Sequence, residues 1–240
     1  MNTSSAHRRR LTTLVLSSLA LVASAPIMAS AATSSPSVAA VIADTKSALA
    51  KESTVHVVVL SKSTTSKSSV VVDIGTKRGV ETITSGADSV TIVVTPTYAY
   101  LTGNAGGLTA MMGLSAVQQT RVGTKAITMK AGTTPYRNFK SNLTLSILSS
   151  ILPSASGTRL SSATGSHAKD YQLNWSKKAA GTSPATKSTL VISSGAKRLP
   201  VVEYVSSSSG SGTTTFSKWG ERIRTPAPSA TISYAKATAK

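Results

Sequence analysis

The residues that could support catalysis are few in this 240-residue chain, and their spacing does not favour it. Ser194 and Lys197 match the S-x-x-K spacing that pairs a nucleophilic serine with a lysine base. The companion K-T-G and S-D-N motifs are missing, and serine and lysine are so common here that chance matches are expected. A turn between two strands explains Gly195 and Lys197 equally well. The sequence therefore predicts no catalytic residue and a protein that is not an enzyme.

The titratable residues of the sequence also do not form a pattern that is typical of a metal or cofactor site. Beyond the first 31 residues the histidines are His56 and His167, and the chain has no cysteine. His56 lies on the face of its strand opposite Val55 and Val57, which predicts a surface histidine. The eight acidic residues are dispersed along the chain, and no pair has a spacing that suggests shared acid–base work. We therefore expect no metal and no cofactor.

The N-terminal segment has the pattern of a signal peptide. A polar, positive start, MNTSSAHRRR, precedes a short apolar run, LTTLVLSSLALVA, and then several small residues. That run is too short to span a bilayer as a helix. The small residues at 29 and 31 predict cleavage after Ala31, so that 1–31 is a signal peptide and 32–36 a short linker. We expect an exported protein, either extracellular or in the cell envelope.

The charge balance of the chain is strongly basic. Its formal net charge is +18, and three of the positive charges would leave with the predicted signal peptide. Such a surplus favours polyanionic partners, namely anionic membrane surfaces, envelope polymers or nucleic acid. Export makes nucleic acid the least suitable of the three. Because the basic residues are scattered, a merely solubilising surface is an equally good interpretation.

Hydrophobic periodicity predicts one helix followed by a series of short strands. Ser37 is placed to cap a helix whose apolar residues recur at three- and four-residue spacing up to Leu49. Strands separated by Gly- and Ser-containing turns then follow about every ten residues, which predicts an antiparallel meander. The predicted strands are STVHVVVLSK (53–62), SSVVVDI (68–74), GVETITS (79–85), DSVTIVVT (88–95) and TYAYL (97–101).

Two apolar segments in the middle of the chain predict helices. One covers 106–120, although Gly113 weakens it, and the other covers 141–153, with Asn142 as its cap and Pro153 as its stop. Strands resume at DYQLNWS (170–176), KSTLVISS (187–194), LPVVEYVSS (199–207) and TTTFSKW (213–219). Residues 236–240 are expected to form a frayed tail.

This order of elements resembles the LppX/LprA/LprF/LprG group of actinobacterial envelope proteins. The similarity covers about residues 37–235, and its most specific part is GTTTFSKWGERIRTPAPS, which follows VTPTYAYL and TLSILSSILP. The resemblance implies a single domain of α+β class over 37–235. Its fold would be a curved antiparallel sheet, a half-barrel, with helices packed in the concave face, similar to the LolA/LolB carriers.

The resemblance also implies places for the clustered aromatic residues near the C-terminus. Phe216 and Trp219 would lie on the last hairpin strand, where their apolar area closes the end of the sheet. Pro226 and Pro228 would end strand pairing at that edge. Ordinary core packing remains the simpler explanation for this aromatic pair.

The function implied by the resemblance is non-catalytic carriage of long-chain lipids or glycolipids in an apolar cavity between sheet and helices. Flexible methionines suit such a cavity, and they suit an ordinary core as well. The residues expected to line it are Leu108, Met111, Met112, Leu145, Leu148 and Ile151. The alternative is a basic surface protein of the same fold that binds anionic envelope polymers or membranes without a lipid cavity.

The chain departs from the family at its predicted cleavage site. Lipoproteins of this group carry a cysteine there, whereas the stretch APIMASAATSSP contains none. We therefore expect an exported protein without a lipid anchor.

Overall fold

Twelve strands form one open sheet in the computed structural model, which describes residues 35–181 and 183–239. The predicted signal peptide therefore lies outside the described residues. Within them, no helix is long and apolar enough to cross a membrane. The strands are β1 (Thr54–Ser63), β2 (Lys67–Gly75), β3 (Gly79–Ser85), β4 (Asp88–Val94), β5 (Tyr98–Gly103), β6 (Ala126–Lys130), β7 (Arg159–Ser162), β8 (Tyr171–Lys177), β9 (Thr186–Ile192), β10 (Pro200–Ser207), β11 (Gly210–Ser217) and β12 (Thr231–Ser233).

The sheet consists of two meanders joined in its middle. Its order is β12-β6-β5-β4-β3-β2-β1-β11-β10-β9-β8-β7. Neighbouring strands are antiparallel except for β12, which runs parallel to β6. The junction is the pairing of β1 with β11, in which Val57 lies opposite Phe216. The predicted meanders are present, but the sequence did not indicate that the last long strand would pair with the first.

Four of the five α-helices that the structure describes begin at residues whose side chains accept a hydrogen bond from a backbone amide, and the one that follows Thr133 does not. Ser37 Oγ accepts from the Ala40 amide at 3.1 Å and Asn104 Oδ1 accepts from the Gly107 amide at 2.8 Å, which satisfies amides that lack a partner within the helix. The α-helices are α1 (Val38–Leu49), α2 (Ala105–Met112), α3 (Ala116–Val122), α4 (Thr134–Asn142) and α5 (Tyr234–Thr238), and 3-10 helices cover Leu145–Ile151 and Gly165–His167.

Two helix predictions were wrong in detail. The segment 106–120 holds two helices, because Gly113 has a left-handed conformation (φ 68°) that ends α2 and Ser115 caps α3. Asn142 is the last residue of α4 and does not start a helix, and the apolar run after it is a 3-10 helix. Strand β6 and helix α4 were not predicted, because their segment mixes few apolar residues with Gly, Thr and Pro.

The main hydrophobic core lies on one face of the sheet, here called the inner face. The strand residues of this core all point to the same face, as the pairing of neighbouring strands shows, and buried residues of the helices pack against them. Residues of this core include Val55, Val57, Val72, Ile74, Ile92, Leu101, Ile127, Leu173, Leu190 and Phe216. The opposite, outer face carries a much smaller cluster of Ala163, Val191 and Val202.

The two ends of the sheet differ in their turns. We call the end that holds the turns at 64–66, 86–87 and 208–209 the tip, and the end that holds the turns at 76–78, 95–97 and 193–199 the base. Strand β1 runs from the base to the tip. These names are used below to locate side chains on the inner face.

The expectations for the C-terminal aromatic residues were wrong in two respects. Phe216 is buried on β11, but β11 lies in the middle of the sheet and does not close its end. Trp219 follows the end of that strand and stacks on Phe216, with ring centroids 6.3 Å apart. Pro226 and Pro228 therefore do not lie at a sheet edge beside β11. They belong to the segment that leads to β12 at the far edge.

The segment expected to be a frayed tail is folded as far as the structure describes it. Ala237 in α5 is fully buried, and α5 contacts α3 and β6. Gln118 Nε2 donates to the Thr238 carbonyl at 2.8 Å and Arg121 Nη1 donates to the Ala239 carbonyl at 2.7 Å. These bonds satisfy carbonyls at the end of the short helix, which explains why it stays in place.

Candidate functional site

On β1, β2 and β11 the inner face is buried near the base and only partly buried near the tip. On β1, Val55 and Val57 are 1% and 4% exposed, whereas Val59, the next inner residue towards the tip, is half-buried. On β2 the order is the same, with Ile74 and Val72 buried and Val70 half-buried. Residues 55, 57 and 59 are all valines, so the difference in their exposure comes from the parts of the chain that pack against the inner face.

A continuous row of half-buried side chains crosses five strands at this level. Each member lies directly opposite the next in the registers of β3, β2, β1, β11 and β10. We call it the half-buried row, and it consists of Ile83, Val70, Val59, Thr214 and Glu203. At about 4.8 Å per strand, its four steps span roughly 19 Å. Beyond Glu203 the row continues into the buried Leu190 and Leu173.

The six residues predicted to line a cavity all belong to the same hydrophobic core. Leu108 and Leu148 are buried within it. Met111, Met112, Leu145 and Ile151 are half-buried and pack against it, as do Val59 and Ile83 of the half-buried row. The structure thus brings the six residues together on the inner-face core, and four of them are partly accessible.

Two carboxyl groups lie on the inner face among these apolar side chains. Glu203 belongs to the half-buried row, between Thr214 and Leu190. Glu81 lies on β3 between Val72 and Ile92, two residues from Ile83. Burial raises the pKa of Glu81. Burial also raises the pKa of Glu203 to about 7, although the positive charge of Lys177 acts in the lowering direction.

Neither carboxyl group has a protein partner in the part of the chain that the structure describes. No hydrogen bond or ion pair there engages the side chain of Glu81 or Glu203. A neutral carboxylic acid is much cheaper to keep in apolar surroundings than a carboxylate, which agrees with the raised pKa values. Sequence reasoning missed both residues because the acidic residues looked dispersed. The signal that could have found Glu81 is the alternation of side chains along a strand, which puts residues 81 and 83 on the same face of the sheet.

The Ser194 and Lys197 pair does not form a nucleophile and base. Ser194 Oγ donates to Asp170 Oδ1 at 3.4 Å, and the Ser194 amide donates to the same oxygen at 3.0 Å. Lys197 Nζ donates to Glu52 Oε1 at 2.9 Å, and the Glu52 side chain is only 5% exposed. The two residues thus have separate acidic partners and no hydrogen bond to each other among the described residues, so the serine–lysine contact that such catalysis needs is missing.

His56 is half-buried on the outer face, where its Nδ1 lies 2.7 Å from Asp73 Oδ1. Ser217 lies opposite His56 on the other neighbouring strand, which gives an Asp–His–Ser row. Within the described residues, no hydrogen bond joins His56 to Ser217. Strand β1 is paired on both sides, so its amides are engaged in the sheet and are not available to an oxyanion. This row therefore lacks the geometry of a catalytic triad.

Two depressions on the surface are lined by other residues. One, of about 240 Å³, lies between the end of α1 and the turn between β9 and β10, where Arg198 Nη1 donates to Asp44 Oδ2 at 2.6 Å. The other, of about 490 Å³, lies at the tip around Leu60. Neither includes any of the six predicted cavity residues. Among the described residues, no group of three or more His, Asp or Glu side chains is placed to hold a metal ion.

The fold and the inner-face site place this chain among α+β proteins with an open, mostly antiparallel sheet. No protein-family model and no curated protein sequence matches it. Among solved structures, LprF from Mycobacterium bovis matches with a TM-score of 0.51 and 14% identity, over 78% of this chain and 95% of that chain. The Mycobacterium tuberculosis lipoprotein LppX matches with a TM-score of 0.49 and 15% identity, over 79% of this chain and 98% of that chain.

The LprF match confirms the fold that was expected from the sequence. An α+β architecture with an open, mostly antiparallel sheet and helices against it is present, and the sheet is not closed into a barrel. The resemblance to the LppX/LprF group is confirmed at the level of fold. At 14% identity this likeness concerns the fold alone.

Proposed function

We propose that the protein is a non-catalytic carrier of long-chain lipids or glycolipids that is exported to the bacterial cell envelope or beyond. The observation that carries the proposal is the half-buried row on the inner face, together with the half-buried side chains of Met111, Met112, Leu145 and Ile151. The likeness in fold to LprF supports it, because it agrees with the sequence resemblance that implies lipid carriage.

The physical argument is that an apolar surface left half exposed is stabilised by an apolar ligand. Full burial of a Val, Ile, Leu or Met side chain contributes about 1.5–3 kcal/mol relative to full exposure. At most about a third of each of these side chains is still exposed, so covering that part contributes at most roughly 0.5–1 kcal/mol each. The ligand gains in addition about 0.8 kcal/mol per buried methylene. A long acyl chain therefore has much more to gain from this surface than a small polar molecule.

The six core residues would form the helical side of the ligand site in this proposal. Met111 and Met112 have flexible thioether side chains that adapt to ligands of different shape. Leu108 and Leu148 would support them from the core below. Glu203, with its pKa raised to about 7, and Glu81 can be neutral there and so tolerate an apolar neighbour.

A non-catalytic role agrees with the separate partners of Ser194 and Lys197 and with the engaged backbone beside His56. The second candidate is a basic surface protein without a lipid cavity. Its support is the net charge of +18 and the burial of Leu108 and Leu148, which is what an ordinary core without a cavity predicts.

The test uses two adjacent valines of β2 that point to opposite faces. Val70 belongs to the half-buried row, whereas Val71 is 39% exposed on the outer face. Val70→Ser is expected to weaken binding of palmitate several-fold, and Val71→Ser less than about twofold, because only the first removes apolar contact with the ligand. Titration calorimetry of both variants with saturated fatty acids of increasing length measures this difference.

Affinity should also rise by about fourfold for each added methylene until the site is filled, which follows from the free energy per methylene. It should change little with salt, whereas binding of a polyanion weakens steeply. Equal effects of Val70→Ser and Val71→Ser, or no uptake of any fatty acid together with no lipid in an organic extract of the purified protein, would refute the carrier function and favour the basic surface protein.

A further inference from the structure

The chain segment that follows β11 folds back across the base of the sheet. The Gly220 amide donates to the Thr54 carbonyl at 3.0 Å, and Thr54 Oγ1 donates to the Glu221 carbonyl at 2.5 Å. Ile223 is buried against Gly75, where an added Cβ would lie 3.0 Å from Ile223 Cδ1. These contacts hold residues 218–225 beside the turn between β2 and β3.

This arrangement gathers cations from two distant parts of the sequence. Arg78 Nη1 donates to Thr225 Oγ1 at 3.4 Å, which joins the turn at 76–78 to the returning segment. Because Ile223 points into the protein, Arg222 and Arg224 on either side of it are exposed. We call the group the basic patch, and it consists of Lys77, Arg78, Lys218, Arg222 and Arg224, all of them exposed.

The charges of the basic patch are not neutralised by the described residues around it. None of its five cations takes part in any of the ion pairs found there. Glu221 lies in the same segment and is exposed, while the neighbouring Asp73 and Glu52 are engaged by His56 and Lys197. Five positive charges thus share this surface with two carboxylates, those of Glu221 and Asp73.

An amphipathic aromatic ring lies within the basic patch. Trp219 is half-buried, stacks on Phe216 and is next to Lys218, which has a positive backbone φ of 51°. A tryptophan with one side packed and one side accessible is typical of protein surfaces that meet the headgroup layer of a membrane. Arginine guanidinium groups bind phosphate through two parallel hydrogen bonds, and three of the five cations are arginines.

We propose that the basic patch docks the base of the sheet on the surface of a bilayer that contains anionic phospholipids. The cations of the basic patch are spread over a turn and a returning segment, so they can contact several lipid phosphates at once. The partly exposed ring of Trp219 is suited to the headgroup layer between them. A docked base would leave the half-buried row accessible nearer the tip. The docking does not depend on lipid carriage, so either proposal can fail without the other.

The test compares two sets of three substitutions with the same change in charge. One set removes the arginines of the basic patch, Arg78→Gln, Arg222→Gln and Arg224→Gln. The control set removes exposed lysines at or near the tip, Lys62→Gln, Lys67→Gln and Lys187→Gln. Sedimentation with vesicles of phosphatidylcholine and phosphatidylglycerol, and with vesicles of phosphatidylcholine alone, measures the binding. Thermal unfolding of each variant shows whether it is folded.

Each cation near an anionic membrane contributes on the order of fivefold to binding, so the patch variant should bind the mixed vesicles on the order of 100-fold more weakly. The control variant should lose only a few-fold. An equal loss in both variants would overturn the proposal in favour of overall charge. Equal binding of the wild-type protein to both kinds of vesicle would also overturn it. The same holds if inorganic phosphate or soluble polyphosphate, at the same phosphate concentration as the lipid, displaces the wild-type protein from the vesicles.

Fluorescence of Trp219 gives a second, local measurement. A Trp175→Phe background removes the other tryptophan of the chain, so the emission reports on Trp219 alone. Mixed vesicles should shift this emission to shorter wavelength, because the ring leaves water for the headgroup layer. Binding without any shift would place the contact elsewhere on the protein and would contradict docking through the basic patch.

Discussion

The base half and the tip half of the inner face are built from the same strands and the same residue types, yet only one is fully covered. Val57 near the base is 4% exposed, whereas Val59, two residues further along β1, is half-buried. The alternation that points both side chains inward is identical. The segments that pack over the inner face make the difference, since Trp219 stacks at the base on Phe216, the residue opposite Val57. We propose that the less covered part binds a ligand.

Close approach of helix α2 explains why β4 is covered as far as the tip while β1 and β2 are not. Val90, Ile92 and Val94 of β4 are all buried. Gly107 of α2 lies so close to the Ser89 carbonyl that an added Cβ would clash with it. A glycine at this position therefore lets the helix lie directly on the strand.

The strongest test of the comparison is a large-to-small substitution in the covered half. Phe216 is 5% exposed, lies opposite Val57 and stacks on Trp219. Phe216→Ala should lower the free energy of unfolding by about 3–5 kcal/mol, because it removes a buried ring and leaves a cavity. Urea denaturation measures the loss. The outer-face control Tyr204→Ala, at a residue 47% exposed, should cost less than about 1 kcal/mol. A similar cost for both would mean that the base half is not tightly covered.

The carboxyl group of Glu203 offers a pH-dependent test of the half-buried row. Its pKa is raised to about 7 by burial, so the folded state holds a proton that the unfolded state releases at lower pH. The free energy of unfolding should therefore fall as the pH rises from about 4.5 to about 7. Glu203→Gln should remove this fall and add up to about 3 kcal/mol near pH 8, with little change near pH 4.

Denaturation of wild type and variant at several pH values measures this difference. Thr215→Val serves as the control, because it changes an exposed side chain without removing a titratable group and should give the same stability difference at every pH. If Glu203→Gln followed the wild-type pH dependence, the carboxyl of Glu203 would be well solvated and the row would be more open than described.

The smallest expected effect concerns the cover that α2 provides over β4. Gly107→Ala should cost about 1–3 kcal/mol, because its Cβ would meet the rigid Ser89 carbonyl and push the helix away. Gly106→Ala should be tolerated, since its Cβ would meet only the carboxyl end of Asp88, which can rotate. Thermal unfolding of the two variants compares them directly. Equal melting temperatures would show that α2 does not depend on this close contact.

Strand prediction from the sequence found nine of the twelve strands and missed β6, β7 and β12, and helix prediction was less accurate. Every predicted strand is present, with bounds within a few residues, because period-two alternation of Val, Ile and Thr is specific to sheets. The helix predicted at 106–120 was divided by the left-handed Gly113, and the one at 141–153 became a 3-10 helix. Apolar content alone does not distinguish these forms. The short tail failed as a prediction because its packing partner, α3, is more than a hundred residues away.

The candidate site was predictable only in part. The six core residues predicted as lining do come together on the inner-face core, and their role in binding stays a prediction. Val59, Val70, Ile83 and Glu203 were not foreseen, because their partial exposure depends on where the helices stop.

The sequence by itself determined nine of the strands, the face to which each of their side chains points, the helix cap at Ser37 and the excess of positive charge. These follow from local spacing and composition, which act over a few residues. Only the tertiary structure decided that β1 pairs with β11, that helices leave the tip half of the inner face half covered, and that Arg78 meets Thr225, 147 residues away. Contacts between distant segments depend on how whole elements pack, and no local pattern encodes which surface remains uncovered.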